Sequence, residues 1–457
     1  MLSFVGVQFI TILTIPIFTK LLTPADFGIY EVYNNTVRFL SVLISLNLYT
    51  GFYRFYFEKK LDKKYLMQFL LRTAFISFII GTIFLWLARK ELLRMTNLPH
   101  DLFIWIPIGI FSSIVLNFFT TYNNAQQKST RLSIWQFVMQ LLKSITAIFC
   151  VLYVSKNYLG RISGENIVLL MISIVVIFVY FRNYIGFKET LSDKFEMVKY
   201  SAGFIPIGLS SYLISYLDLV LINNLQGNEA SGVYSYAYKF AVIYAGFSQA
   251  FITANRPDLF NLLKENKEQE VVSQMRSMFK LVTIVACSFI FFAGDAGRIL
   301  ALKKEFGEAL YLLPVLVIGY VFSDITEVYN FFLHYTKKVK LFYISFISTA
   351  VVNFILNYLL IPKYGYQVAA YTTLASYMVL FFTTYIVCKF YTNLKVPRWT
   401  VLLDYVAALV FAVFLSYLLT FFVSNLWLVI LIKAIVLLLF VVYLYGDKIK
   451  AAKELIK

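Results

Sequence analysis

Charge is what this chain has least of. Asp, Glu, Lys and Arg make up 14% of its 457 residues, where a water-soluble protein of this size carries about a quarter. There is too little polar surface for a soluble globular shell. Histidine occurs twice, as His100 and His334 at separate run ends, and Cys150, Cys287 and Cys388 each lie inside an apolar run. Neither a metal-ligand cluster nor an exported disulfide pair emerges from that spacing, so no metal and no cofactor is expected. The alternating ten-residue segments of a membrane β-barrel are missing. So is a stretch between apolar runs longer than about 25 residues, which leaves no separate catalytic domain. The first run, 2–22, lacks a basic leader and a small-residue cleavage site and is expected to be a retained helix.

What the chain has instead is 60% hydrophobic residues, 34 Tyr and 46 Phe, with a mean hydropathy of +0.75. Apolar runs of about 20 residues, the length that crosses a hydrocarbon core of about 30 Å, recur throughout. They predict an all-α, multi-pass membrane protein with about fourteen transmembrane helices. Their limits are 2–22, 28–52, 65–87, 101–122, 132–155, 166–186, 200–224, 232–254, 274–294, 310–334, 342–361, 367–388, 401–423 and 426–445. Only Ser424-Asn425 separates the last two, so a re-entrant hairpin is an alternative there.

The net charge of +17 reads as topology and implies no nucleic acid. With a cytoplasmic N-terminus, the inner loops 53–64, 123–131, 182–199, 255–280, 335–341 and 389–400 and the tail 446–457 hold 26 of the 41 Lys and Arg. By the positive-inside rule both termini are cytoplasmic. The loops 182–199 and 255–280 read as amphipathic connectors on the inner membrane surface.

"IGIFSSIVLNFFTTY" (Ile108–Tyr122) echoes "IGYVFSDITEVYNFFLHY" (Ile318–Tyr335), and "FGIYEVY" (Phe27–Tyr33) echoes "SGVYSYAY" (Ser231–Tyr238). The offset pairs span 2 with span 8 and span 4 with span 10, which predicts two parallel six-helix repeats. The expected organisation is an N-terminal lobe over 1–190, a C-terminal lobe over 191–395, and a helix pair with a cytoplasmic tail over 396–457.

Charges at bilayer depth cost about 2.5–3.5 kcal/mol each on insertion scales, so they are the first functional candidates. Arg38 lies about 15 Å into span 2, Lys143 is similarly central in span 5, and Lys239 lies about 10 Å into span 8. Under the repeat, Arg38 and Lys239 come from equivalent helices and can face each other across a cavity. Arg72 and Lys433 are shallow enough to snorkel to the headgroups. The carboxylates are Glu31, Asp218, and Asp324 with Glu327 on one helix face; they serve either as H⁺ or Na⁺ coupling sites or as neutralisers of a nearby cation. Pro16, Pro107, Pro206 and Pro314 mark spans 1, 4, 7 and 10 for bending. No nucleophile, metal set or phosphate-cradling glycine loop accompanies the carboxylates, so no enzyme is expected.

Three ordered stretches resemble the Wzx-type flippases of the multidrug/oligosaccharidyl-lipid/polysaccharide (MOP) exporter superfamily. They are "IPIFTKLLTPADFGIYEV", "GFIPIGLSSYLISYLDLVLINNLQGNEASGVYSYAYKFA" and "NFILNYLLIPKYGYQVAAYTTLASY". Gln367 stands where the family pattern has a second glycine. The resemblance implies a V-shaped pair of six-helix lobes, often with two extra helices, that alternates access between the leaflets of a bacterial inner membrane. The implied cargo is a polyprenyl-pyrophosphate oligosaccharide for O-antigen, capsule or exopolysaccharide synthesis, delivered to a polymerase complex. Arg38, Lys143 and Lys239, then Lys20 and Arg54, are the residues expected to meet the anion. Asp218, Asp324, Glu327 and Glu31 are the expected coupling or gating groups. The rival readings are a peptidoglycan-precursor flippase, a multidrug or cation exporter, a membrane glycosyltransferase or polymerase, and a structural component of a synthesis complex.

Overall fold

In hydrocarbon a backbone must satisfy its own N–H and C=O groups, so apolar runs of this length fold as helices. The computed structural model describes residues 2–58, 62–184, 194–336, 338, 341–422 and 425–456. Among them it contains eighteen α-helices, several short 3₁₀ turns and no strand. Parts of four expected inner segments, at 59–61, 185–193, 337 with 339–340, and 457, lie outside the described residues, as does Ser424.

The chain divides into two compact units, one of residues 1–235 with 358–366 and one of residues 236–357 with 367–457. The first unit begins with α1 (Leu2–Leu21), α2 (Pro24–Ile44), α3 (Leu48–Phe55), α4 (Lys63–Leu87) and α5 (Arg89–Thr96). It continues with α6 (Trp105–Ala125), α7 (Ser129–Tyr153), α8 (Tyr158–Val176), α9 (Lys194–Ala202), α10 (Ile205–Gln226) and the first turns of α11 (Asn228–Ala254). Here α8 packs on α6 and α7, α1 on α7, and α2 on α6 and α10. Its core gathers Val32, Phe52, Leu66, Ile106, Phe118 and Val176, each fully buried.

The second unit holds the rest of α11, then α12 (Arg256–Lys264), α13 (Glu268–Leu300), α14 (Leu313–Tyr335), α15 (Phe342–Tyr364), α16 (Val368–Tyr391), α17 (Leu403–Phe422) and α18 (Leu426–Ile456). The last turn of α15 belongs to the first unit. α14 is the central helix, packed on α13 and α16, and α17 and α18 lie against α13.

Ten helices among the described residues are long and apolar enough to cross a membrane, and they coincide with predicted spans 3–6 and 9–14. The other four predicted spans are helical too, as α1, α2, α10 and α11. Of these, α2 and α11 are the polar ones. α2 carries Glu31, Asn34, Asn35, Thr36 and Arg38, and α11 carries Ser231, Ser235, Lys239, Ser248 and Gln249. A helix whose surface meets polar partners need not be apolar all round.

Span 2 is not one helix as expected. Leu46 and Asn47 take left-handed φ of 50° and 52°, which ends α2 and starts α3. Ser77 on α4 donates its hydroxyl to the carbonyl of Ile44 at 2.5 Å, satisfying an acceptor freed by the break. The prolines mark helix starts more than bends. Pro206 and Pro314 occupy the second helical positions of α10 and α14, and Pro107 lies in the first turn of α6, where a missing N–H costs nothing. Pro16 alone of the four stands inside a helix. The expected connector 255–280 holds α12 and the opening turns of α13.

Candidate functional site

The motif TPADFG builds the start of α2. Thr23 and Asp26 form a capping box: the Asp26 amide donates to Thr23 Oγ1 at 3.2 Å, and the Thr23 amide donates to Asp26 Oδ2 at 2.9 Å. Pro24 takes the first helical position. The other carboxylate oxygen of Asp26 accepts the amide of Tyr158, the first residue of α8, at 3.0 Å. One acid thus ties the beginnings of two helices and sets the register from which Arg38 projects.

Arg38 is exposed, although it lies in the middle of α2. Its Nη1 donates to the hydroxyl of Tyr216 on α10 at 3.2 Å, and the guanidinium carbon stands 5.9 Å from that ring's centroid. Tyr212 stacks on Tyr216 one turn away, with centroids 5.9 Å apart and planes 29° apart. Among the described residues no carboxylate forms an ion pair with Arg38. A planar cation with no carboxylate in direct contact, beside a pair of stacked phenols, can bind an anion in a bidentate manner and present ring faces to a sugar.

Lys143 stands in a different arrangement, with its Nζ 3.1 Å from Glu165 Oε2 on α8. Glu165 also accepts the Tyr30 hydroxyl at 2.8 Å and lies 3.5 Å from Arg161 Nε. Arg161 is 7% exposed and is boxed by the rings of Phe18, Phe27 and Tyr30, with its carbon 4.1, 5.0 and 3.6 Å from their centroids. Its Nε and Nη1 find no hydrogen-bond acceptor. Two cations therefore share one buried carboxylate, and the aromatic faces hold the excess charge. Both Arg161 and Glu165 fall between the expected spans 132–155 and 166–186, and neither is among the sequence candidates. The available signal was Asn157, an N-cap for Leu159, followed by Arg161 and Glu165 at helical spacing.

The remaining candidates are separate from Arg38. Asp218 is fully buried in the first unit and accepts the Tyr234 hydroxyl at 2.8 Å. In the second unit Asp324 accepts the Tyr244 hydroxyl at 2.8 Å and the Gln249 amide at 3.2 Å. Glu327 lies 3.8 Å from Arg256 and accepts from Asn330 at 3.2 Å. Each fully buried carboxylate of this group is answered by a tyrosine hydroxyl, as Glu165 is. Glu31 is half-buried on α2, and Lys239 is half-buried on the part of α11 that belongs to the second unit. Lys20 is exposed in the last turn of α1. Arg54 is exposed on α3, 3.8 Å from Glu58 and 5.1 Å from the Tyr200 ring centroid. Lys433 does not snorkel as expected. It is 2% exposed and held 2.8 Å from Asp295, because a carboxylate on α13 comes within its reach.

The family model described as "Polysaccharide biosynthesis protein" matches residues 1–263. A probable low-salt glycan biosynthesis flippase, Agl15 of Haloferax volcanii, is 24% identical over 42% of this chain and 41% of its own length. A capsular polysaccharide biosynthesis protein, CapF of Staphylococcus aureus, is 29% identical over 40% of this chain and 47% of its own. The chain thus spans less than half the length of either relative. Among solved structures, the lipid II flippase MurJ in its inward closed conformation superposes with a TM-score of 0.66 at 15% identity. That match covers 98% of this chain and 99% of that one. It is a likeness of fold, shared with transporters of the MOP superfamily.

Proposed function

Since the chain belongs to the polysaccharide biosynthesis protein family, we propose that it is a flippase that carries polyprenyl-pyrophosphate-linked oligosaccharide from the cytoplasmic to the outer leaflet of the plasma membrane. It is a multi-pass membrane protein with a transporter fold. On this reading the two repeats act as lobes that alternate access, both termini are cytoplasmic, and no covalent chemistry is performed.

The observation that carries the reading is Arg38 with Tyr216 and Tyr212. A pyrophosphate leaving water loses hydration worth many kcal/mol, and a guanidinium that no carboxylate touches directly offsets part of that loss. The tyrosine faces suit sugar rings, and the polar surface of α2 suits a wet path. An exporter of cations would be repelled by the same arginine. Lys239, Lys20 and Arg54 are assigned as further anion contacts along the path. Lys143 acts within the paired cluster with Glu165 and Arg161. Asp218, Asp324, Glu327 and Glu31 are assigned to coupling with H⁺ or Na⁺, and the delivered repeat unit passes to a polymerase.

The test is leaflet exchange of a fluorescent polyprenyl-pyrophosphate oligosaccharide by the reconstituted protein, with Arg38→Ala as the comparison. Exchange by wild type that is lost in a folded Arg38→Ala supports both cargo and site. Exchange unaffected by the substitution removes the site, and no exchange under an applied ion gradient removes the function. Lipid II, run as a second cargo, separates this reading from that of a peptidoglycan-precursor flippase.

A further inference from the structure

In the second unit, a cavity of about 290 Å³ opens between α13, α17, α18 and the segment leading into α14. Most of its wall is apolar, from residues such as Ile290 and Phe291, and its charged lining consists of Asp295, Arg298 and Lys433. Lys433 Nζ lies 2.8 Å from Asp295 Oδ2 and is almost fully buried, so these two charges cancel. Arg298 lies 3.8 Å from the other oxygen of the same carboxylate, with half its side chain exposed. The lining therefore carries one excess positive charge, and it sits on the accessible residue. Arg298 is two residues from the end of α13, about 3 Å along the helix axis, at headgroup level rather than in the hydrocarbon.

α13, α17 and α18 are among the ten membrane-crossing helices, and most of the α18 surface faces outward. At the rim stand Phe421, 84% exposed, and Tyr417, whose hydroxyl donates to the Tyr311 carbonyl at 2.5 Å. A tyrosine such as Tyr417 sits where chains meet headgroups, and an exposed phenylalanine offers a chain an apolar face. Gly294 adds an independent observation. A Cβ built on it meets nothing within 4 Å, so close helix packing does not call for this glycine. What its missing side chain does is leave the cavity clear.

We propose that this cavity binds a membrane lipid with an anionic phosphate headgroup: the phosphate pairs with Arg298, and the first part of a chain lies on the apolar wall. The assignment does not depend on which cargo the protein moves. Charge complementarity and the lipid-facing mouth select this occupant over a neutral lipid or a soluble anion.

Native mass spectrometry of the full chain in detergent tests it, with phosphatidylglycerol and phosphatidylcholine of identical chains as probes and glycerol phosphate as the soluble competitor. Wild type is expected to hold one phosphatidylglycerol about tenfold more tightly than phosphatidylcholine, whose own choline cation already neutralises its phosphate and is repelled by Arg298. Arg298→Gln removes the charge. Gly294→Leu fills the cavity with every charge left in place, and a leucine is at ease in a helix. Each variant is expected to lose the preference while its melting in lipid-free detergent is not lowered. Equal binding of the two lipids by wild type, or a preference that survives both substitutions, overturns the site. Displacement by glycerol phosphate at the lipid's own concentration overturns the lipid as its occupant.

Discussion

Gly28 and Gly232 meet backbone to backbone. A Cβ on Gly28 would stand 2.9 Å from the Gly232 nitrogen, and one on Gly232 would stand 3.0 Å from the Gly28 nitrogen; the carbonyls of Asn228 and Pro24 are nearer still. The two glycines are 204 positions apart and occupy equivalent places in "FGIYEVY" and "SGVYSYAY". The two copies of the motif thus seat on each other in the first turns of α2 and α11. Side-chain amides reinforce this end of the unit. Asn223 Nδ2 donates to the Thr96 carbonyl at 3.0 Å, Ser231 Oγ donates to Asn223 Oδ1 at 3.0 Å, and Asn224 donates to the Met95 carbonyl.

The seat leaves no room for a methyl group. Gly232→Ala is expected to cost about 1–3 kcal/mol as an overpacked contact, read as a lower melting temperature in detergent. Gly294→Ala, with open space at its Cβ, is the matched control and should be neutral or stabilising by about 0.5–1 kcal/mol through helix propensity. Similar melting shifts in the two variants would show that the α2–α11 contact is looser than described.

Glu165 is the carboxylate shared by Lys143 and Arg161. Glu165→Gln leaves Lys143 and Arg161 without their shared counter-charge, and loss of one partner from a buried ion pair costs about 3–5 kcal/mol. Removing a cation at the same time, as in Glu165→Gln with Lys143→Met, should recover part of that loss. Chemical denaturation of the four proteins of this cycle measures the coupling. A double variant no better than the single one would mean that Lys143 and Glu165 do not stabilise each other.

Much of the fold was legible because the bilayer demands a fixed length of apolar residues, and ten of the predicted spans return as membrane-length helices. The break at Leu46–Asn47 was not legible. Left-handed φ at a leucine has no local signal and is held by tertiary partners such as Ser77. Central cations were legible as positions but not as partnerships: Arg38 and Lys143 look alike by depth, yet one is exposed beside tyrosines and the other is paired to Glu165. Arg161 was missed because apolarity falls before α8 begins, so a buried residue read as a loop charge. Tyrosine was undervalued as well, since its hydroxyls answer Glu165, Asp218 and Asp324 without adding charge.

On α10, Tyr216 offers Arg38 both a hydroxyl and a ring face. If the ring contacts cargo, Tyr216→Phe should slow leaflet exchange by no more than about fivefold, the value of one modest hydrogen bond. Tyr216→Ala should slow it by about tenfold or more, because the stacking surface disappears. Arg38→Lys should fall between wild type and Arg38→Ala, since an ammonium keeps the charge and loses the planar fork. Equal loss in the Phe and Ala variants of Tyr216 would mean that only the hydroxyl matters, and the sugar-facing role would fall.

Asp26 does more than Thr23 in the capping box, and the two substitutions should rank accordingly. Thr23→Ala removes the acceptor for the Asp26 amide, a loss of about 0.5–2 kcal/mol for a helix cap. Asp26→Asn keeps the shape but turns one oxygen into an N–H donor. Both oxygens of Asp26 already face donors: Oδ2 meets the Thr23 amide and hydroxyl, and Oδ1 meets the Tyr158 amide. Either way the new amide turns, a backbone donor at the start of α2 or of α8 is opposed by another donor. That leaves an unsatisfied group worth about 1–3 kcal/mol and weakens what was a charge-assisted bond. Asp26→Asn should therefore lower the melting temperature at least as much as Thr23→Ala. The double variant should cost less than the two single losses added together, because both act on the same bonds. An Asp26→Asn protein that melts above Thr23→Ala would mean that the bond to Tyr158 contributes little, and the two helix starts would then be held together by packing alone.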